Sequence, residues 1–246
     1  MSALARLTVA ETKLFFREPM LVFFVLAFPP LLLVVLGAFP AIREPSEDLG
    51  GVRAITLYLP IIVAMGLAMF ALNSVSQLLA TYREKGVLRR MRTTPVRPHV
   101  MLGAQLLMST ILSVATMLVV LAIGRAMYDV GLPRQFFAYV IAYLLTALAM
   151  FAIGLLVASL APTGKSAGAI GTLLFFPIVF FAGLWVPRAQ MNDVLRTISD
   201  FTPLGAGVQS LQDATAGHWV QPLQVAVLLG WTIVAGGLAA RYFRWE

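Results

Sequence analysis

The sequence predicts an all-α membrane protein built on six transmembrane helices, and three observations carry the prediction. Of its 246 residues, 60% are hydrophobic and only 12% are charged, at a mean hydropathy of +0.88, whereas soluble domains carry about one quarter charged residues. Six stretches lack Asp, Glu, Lys and Arg altogether: residues 19–42, 54–82, 98–124, 135–164, 166–187 and 214–240. Each supplies the roughly 20 residues, at about 1.5 Å apiece, that cross a hydrocarbon core. Between them lies no segment of about 50 residues or more, the size an independent soluble domain requires. Residues 19–246 therefore form a single membrane domain, preceded by residues 1–18.

That leading segment reads as an amphipathic helix lying on the bilayer surface. At about 100° per residue, Arg6, Lys13 and Arg17 share one stripe while Leu4, Leu7, Leu14 and Phe15 gather opposite. The cations suit anionic headgroups. Glu11 interrupts the apolar face and is expected to be exposed or paired with a nearby base, with contact to a protein partner as the alternative. The first span exceeds the roughly 7–15 residue apolar region of a cleavable signal. Its Phe28, Pro29 and Pro30 should kink or break the helix, because proline removes a donor and crowds the preceding turn.

Spans four and five nearly abut across "APTGKSA", where Pro162 and Gly164 let the chain turn. The segment 187–215, after span five, is too long for a simple turn. Met191, Val194, Leu195 and Ile198 have helical spacing, which predicts a short amphipathic hairpin dipping into the outer leaflet. Such a hairpin either caps an exit path or seals the bundle. Span six has a polar lead-in before about Val220.

Charge sets the orientation. Of the 18 lysines and arginines, twelve fall in the N-terminal segment and every second connection after it, and six in the others. The richer set is cytoplasmic, which places both termini inside. Six of the twelve sit in residues 82–98, "YREKGVLRRMRTTPVRP". A topogenic anchor accounts for the charge alone. The stretch is nevertheless more ordered than an anchor requires: Thr81 and Glu84 have capping-box spacing, which would start a short helix that Pro95 stops. On it Val87, Leu88 and Met91 form an apolar patch flanked by Arg89, Arg90 and Arg92. Such a helix suits docking into a groove on another protein and equally suits lipid contact.

Several function classes are excluded or disfavoured. Without cysteine there is no disulfide, thiolate catalysis or thiolate metal site, and two histidines, His99 and His218, make no convincing metal centre. The net charge of +7 reflects topology rather than nucleic-acid binding. "SLAPTGKS", residues 159–166, ends like a phosphate-binding loop, but Ser159 stands where glycine is required and the tripeptide joins two membrane helices instead of following a strand. The chain is therefore not expected to be an enzyme or to bind a cofactor. No span carries an ionisable residue near its middle, which disfavours proton coupling, although carbonyls could still hold sodium.

The remaining intramembrane polar groups are patterned. Gln105, Ser109, Ser113 and Thr116 line one face of span three, and Asn73 and Gln77 one turn of span two. They serve either helix packing or a pathway. Span five combines Phe175, Phe176, Phe180, Phe181 and Trp185 with Pro177 and Gly183, as lipid-facing packing or as an apolar gate.

"EKGVLRRMRTTPVRP" after span two, together with "FFPIVFFAGLWVPRAQMNDVLRTISDFTPL" from span five onward, resembles the permease subunits of type-2 ATP-binding-cassette exporters of the drug-resistance kind. The likeness extends over nearly the whole chain and rests on the order and spacing of loose motifs. It implies an N-terminal elbow helix, marked here by Arg6, Lys13 and Arg17, and a re-entrant segment between spans five and six. It further implies a coupling helix that docks on an ATPase subunit through Glu84, Val87, Leu88, Arg89, Arg90 and Met91. The late motif corresponds to Pro177, Gly183, Pro187, Met191, Leu195 and Pro203; many relatives have proline after the methionine, where this chain has Asn192.

The same resemblance implies a pair of permease chains, identical or sister, around a substrate path. Each would be served by a soluble nucleotide-binding subunit that uses ATP and magnesium. The expectation is an exporter in a bacterial inner membrane that moves a hydrophobic drug-like molecule or lipid. Asn73, Gln77, Phe176, Pro177, Phe180, Phe181 and Gly183 are its candidate pathway and gate. The rivals are a gradient-driven transporter and a noncatalytic membrane assembly protein.

Overall fold

The computed structural model describes residues 3–87, 90 and 98–242, apart from the side chains of Asp48, Pro98, His99 and Ala189. An N-terminal helix, Ala3–Phe15, precedes six helices long and apolar enough to cross a membrane. These are span one, Pro19–Gly37; span two, Ala54–Glu84; span three, Val100–Tyr128; span four, Phe136–Leu160; span five, Gly164–Phe181; and span six, Pro222–Tyr242. Among the described residues there is no strand, only an isolated bridge between Pro45 and Arg53.

Span two is the axis of the bundle. In its most apolar window 83% of residues are buried, against 61% for span four and 22–28% for the rest. A helix that is apolar on every side needs neighbours on every side or lipid, and here protein supplies them. Spans one, three, four and five all pack on span two, span six packs on span four, and the N-terminal helix packs along span three. Small residues allow the close approaches. A Cβ placed on Gly154 of span four would lie 2.2 Å from the Ala71 carbonyl oxygen, and one on Gly171 of span five 2.0 Å from that of Leu72.

The two carbonyls belong to a wide turn. Residues Phe70–Val75 of span two are π-helical, and the Ser76 amide reaches back five residues to Ala71. Span one holds a second such turn, Phe23–Ala27, closed by the Phe28 amide on Phe23. It lies just before Pro29 and Pro30, which stand in the first turn of the next α-helical stretch. The expected disruption at "FPP" is thus a π-turn in a continuous helix, a usual way to relieve a proline inside a membrane helix. Span one ends at Gly37, short of residue 42, because the chain turns at Phe39 into a separate short helix, Pro40–Arg43.

Spans four and five do turn at 161–163. Thr163 and Ser166 form a reciprocal cap in which the Ser166 amide donates to Thr163 and the Thr163 amide to Ser166. Between spans five and six lie two helices, Asp193–Phe201 and Pro203–Ala216. Asn192 caps the first by accepting from the Leu195 amide at 2.8 Å, so asparagine supplies the helix start. Val194 and Ile198 on that helix are exposed, whereas the second helix is buried against spans four and two. Thr202 caps the second helix and Gly217, at φ +102°, ends it. Span six then begins at Pro222.

Candidate functional site

The end of the bundle carrying residues 82–98 brings together most of the polar chemistry. The N-terminal helix there buries Thr8, Glu11 and Phe15, while Leu4 and Leu14 remain exposed. The docked side thus keeps Phe15 and Glu11 of the face read as apolar and adds Thr8, while Leu14 of that face stays exposed. Glu11 corrects the sequence reading most sharply: it is 3% exposed and, among the described residues, meets no basic side chain. Both its carboxylate oxygens accept from the Tyr82 hydroxyl, at 3.0 and 2.9 Å. Burial raises its pKa above the ordinary carboxylate value, and the bond from Tyr82 offsets part of that rise. Phe15 stacks on Phe70 beside the π-turn of span two, so the helix is fixed at two levels.

The capping box expected at Thr81 does not form. Span two continues through Thr81, whose hydroxyl donates to the Gln77 carbonyl at 2.8 Å, to Glu84. Glu84 instead accepts the Gly164 amide at 2.9 Å, at the start of span five. Its neighbour Arg83 donates to the Ser159 carbonyl at 2.9 Å and also to that of Ala161, at the end of span four. Span two ends at Lys85, and Gly86, at φ +66°, adopts the left-handed conformation that glycine accepts without penalty. The Arg90 amide then donates to the Gly86 carbonyl at 3.1 Å. Leu88, Arg89 and Met91 lie outside the described residues, while Val87 borders the cavity described next.

A cavity of ≈ 820 Å³ opens between the N-terminal helix and spans one, two and five. Asn73 and Gln77 of span two and Phe176 of span five line it, as do Thr172, Phe24 and Met69. The Thr172 hydroxyl and the Asn73 side-chain oxygen are 3.4 Å apart. Arg17, Glu18 and Lys85 stand at its polar end; Arg6 and Lys13 are exposed elsewhere on the N-terminal helix. Pro177, Phe180, Phe181 and Gly183 do not border this cavity. Phe180 and Phe181 meet edge to face, Phe176 stacks on Trp185, and Gly183 takes φ +92° just past span five. Gln105, Ser109, Ser113 and Thr116 are buried in the bundle and likewise line no part of the cavity. Their face is a packing face.

The ABC-2 type transporter family profile matches residues 2–215. This chain belongs to that family. It is a multi-pass membrane protein, and the matched region runs from the N-terminal helix to the second helix between spans five and six. A similar protein is "Putative transport permease YvfS" of Bacillus subtilis (strain 168), 26% identical over 141 residues. The match covers 56% of this chain and 57% of that relative, so the chain spans little more than half of the relative's length.

In this ABC-2 family member several residues that shape the site carry no local sequence signal. Tyr82 and Arg83 look like loop charge or a span edge, since their partners lie 71 to 78 residues away. The glycines of span five, Gly164, Gly168 and Gly171, did carry a signal. Their spacing of four and three residues puts them on one helix face.

Proposed function

We propose that this chain is the permease subunit of an ATP-driven exporter, powered by a separate nucleotide-binding subunit that docks on the cytoplasmic 82–98 loop. The observation that carries the reading is the cavity lying directly against the start of that loop, with Lys85 and Val87 in its wall. It is apolar along Phe24, Met69 and Phe176 and polar at Arg17, Glu18 and Lys85, a division that suits an amphiphile entering from the inner leaflet. Substrates are accordingly hydrophobic drug-like molecules or lipids. The exposed faces of spans one and five, among them Leu31, Val35, Leu173 and Phe176, are apolar enough to meet a second permease copy or a sister chain.

In this reading the protein resides in a bacterial cytoplasmic membrane, with both termini inside, an orientation that the distribution of lysine and arginine supports. The N-terminal helix lies at the inner surface as the elbow. Asp193–Phe201 turns its exposed Val194 and Ile198 toward the outer leaflet as the re-entrant segment. ATP and magnesium act in the partner subunit. Glu84, by its bond to Gly164, serves the permease's internal geometry more than the docking surface; Val87, Leu88, Arg89, Arg90 and Met91 form the docking surface.

The test is reconstitution of the chain in proteoliposomes with a candidate soluble P-loop ATPase subunit from the same organism, against a panel of fluorescent amphiphiles. ATP-dependent flux of at least one amphiphile is expected. Equal flux without ATP, driven by an imposed proton or sodium gradient, would overturn the proposal in favour of secondary transport.

A further inference from the structure

We propose that Arg83 and Glu84 are positioning residues that clamp the turn between spans four and five to the end of span two, so that a displacement of the 82–98 loop is delivered to span five as rigid motion. The inference rests on the permease reading and assigns a force path that the reading leaves open.

The clamp is built from two adjacent side chains of opposite charge. The Arg83 guanidinium holds the Ser159 and Ala161 carbonyls, where span four ends in partial negative charge. The Glu84 carboxylate holds the Gly164 amide, where span five begins in partial positive charge. Reversing the two residues would oppose both helix ends. The turn they grip is short, and the reciprocal Thr163–Ser166 cap stiffens it.

From there the contact continues along span five. A Cβ on Gly164 would lie 1.9 Å from the Thr81 hydroxyl oxygen, one on Gly168 3.5 Å from the Gln77 amide group, and one on Gly171 2.0 Å from the Leu72 carbonyl oxygen. Span five thus lies against span two from residue 81 to residue 72 through one glycine face. A pair of helices in backbone contact, pinned at one end by charge-assisted hydrogen bonds, moves as a unit. Span five carries Thr172 and Phe176 into the cavity. Motion of the loop therefore reshapes the cavity wall opposite span one.

The experiment uses the permease–ATPase complex in nanodiscs and electron–electron double resonance between spin labels. The chain contains no cysteine, so labels at Lys85→Cys and Lys165→Cys are unique. One distance, unchanged between nucleotide-free and vanadate-trapped states, is expected for this pair. In the Arg83→Ala/Glu84→Ala variant the pair should separate on trapping by about 5 Å, one helical turn. Glu84→Gln, which keeps an acceptor oxygen, should restore the single distance when Arg83 is present. A change of that size without the variant, or a variant that behaves as the parent, overturns the clamp. A second pair, Lys165→Cys with Arg125→Cys, reports whether nucleotide moves the permease at all. If it stays fixed, the permease reading fails and the clamp with it.

Discussion

The Gly171 backbone lies so close to span two that a Cβ there would stand 2.0 Å from the Leu72 carbonyl oxygen. Leu72 sits inside the π-turn Phe70–Val75, and Gly154 of span four approaches the neighbouring Ala71 carbonyl in the same way. Wide turns leave carbonyls turned away from the helix axis, and here glycines on two sides let other helices close over them. Gly171→Ala should therefore destabilise the folded bundle by about 1–3 kcal/mol, the usual cost of overpacking. Gly168→Ala, with its nearest neighbour at 3.5 Å in a flexible Gln77 side chain, should be close to neutral. Thermal unfolding in detergent compares the two.

Docking of the N-terminal helix should depend on pH through Glu11. Its folded pKa is raised, by burial before all else. Folding thus favours the protonated acid, and the contribution to stability is full below the unfolded carboxylate pKa and is lost as pH rises through the raised folded value. The helix is expected to show higher amide protection factors, which scale exchange to the intrinsic rate at each pH, at mildly acidic than at neutral pH. Glu11→Gln should slow exchange at neutral pH and flatten the dependence. Tyr82→Phe leaves the buried carboxyl without its donor and should cost about 1.5–3 kcal/mol. Hydrogen exchange of residues 3–15 in nanodiscs measures all three.

How much of this was legible in the sequence follows from where each partner lies. Six charge-free runs suffice to place six helices, because hydrophobic length is a local property. The "APTGKSA" turn and the capping asparagine Asn192 were also within reach of local rules. Thr81 and Glu84 match a capping box in spelling, yet span two runs straight through them, because Glu84 finds its partner 80 residues away in Gly164. Glu11 looks solvent-exposed for the same reason, its donor being Tyr82, 71 residues away. The polar face of span three was visible as a pattern, and only the packed bundle shows that it is buried. Periodicity reveals faces; it does not say what each face meets.

At the opposite end of the bundle Arg53 donates to the Tyr128 and Asp129 carbonyls at 3.0 and 2.9 Å, closing the end of span three. Asp129 has φ +50°, a conformation of modest cost for aspartate. Arg53→Ala should release both carbonyls and speed amide exchange of residues 125–131. Lys at this position, with one ammonium in place of a planar fork, should restore only part of the protection.

Gln105 is wholly buried, and neither atom of its amide group has a hydrogen-bond partner among the described residues. Replacing an unsatisfied polar group by an apolar one of similar size removes a desolvation cost. Gln105→Leu should accordingly leave the melting temperature unchanged or raise it, with flux unaffected. A marked loss of flux with intact folding would instead assign Gln105 to the pathway.

We propose that a separate ATPase drives this bundle through the loop that follows span two. That coupling is tested most directly by flux per ATP hydrolysed in proteoliposomes containing the permease and its ATPase, comparing the parent with Leu88→Asp/Met91→Asp. The variant should insert normally and lose at least about tenfold in transport per ATP, the loss expected when a charge replaces an apolar contact at a docking surface. Undiminished ATP-driven flux in the variant would rule out a docking role for Leu88 and Met91.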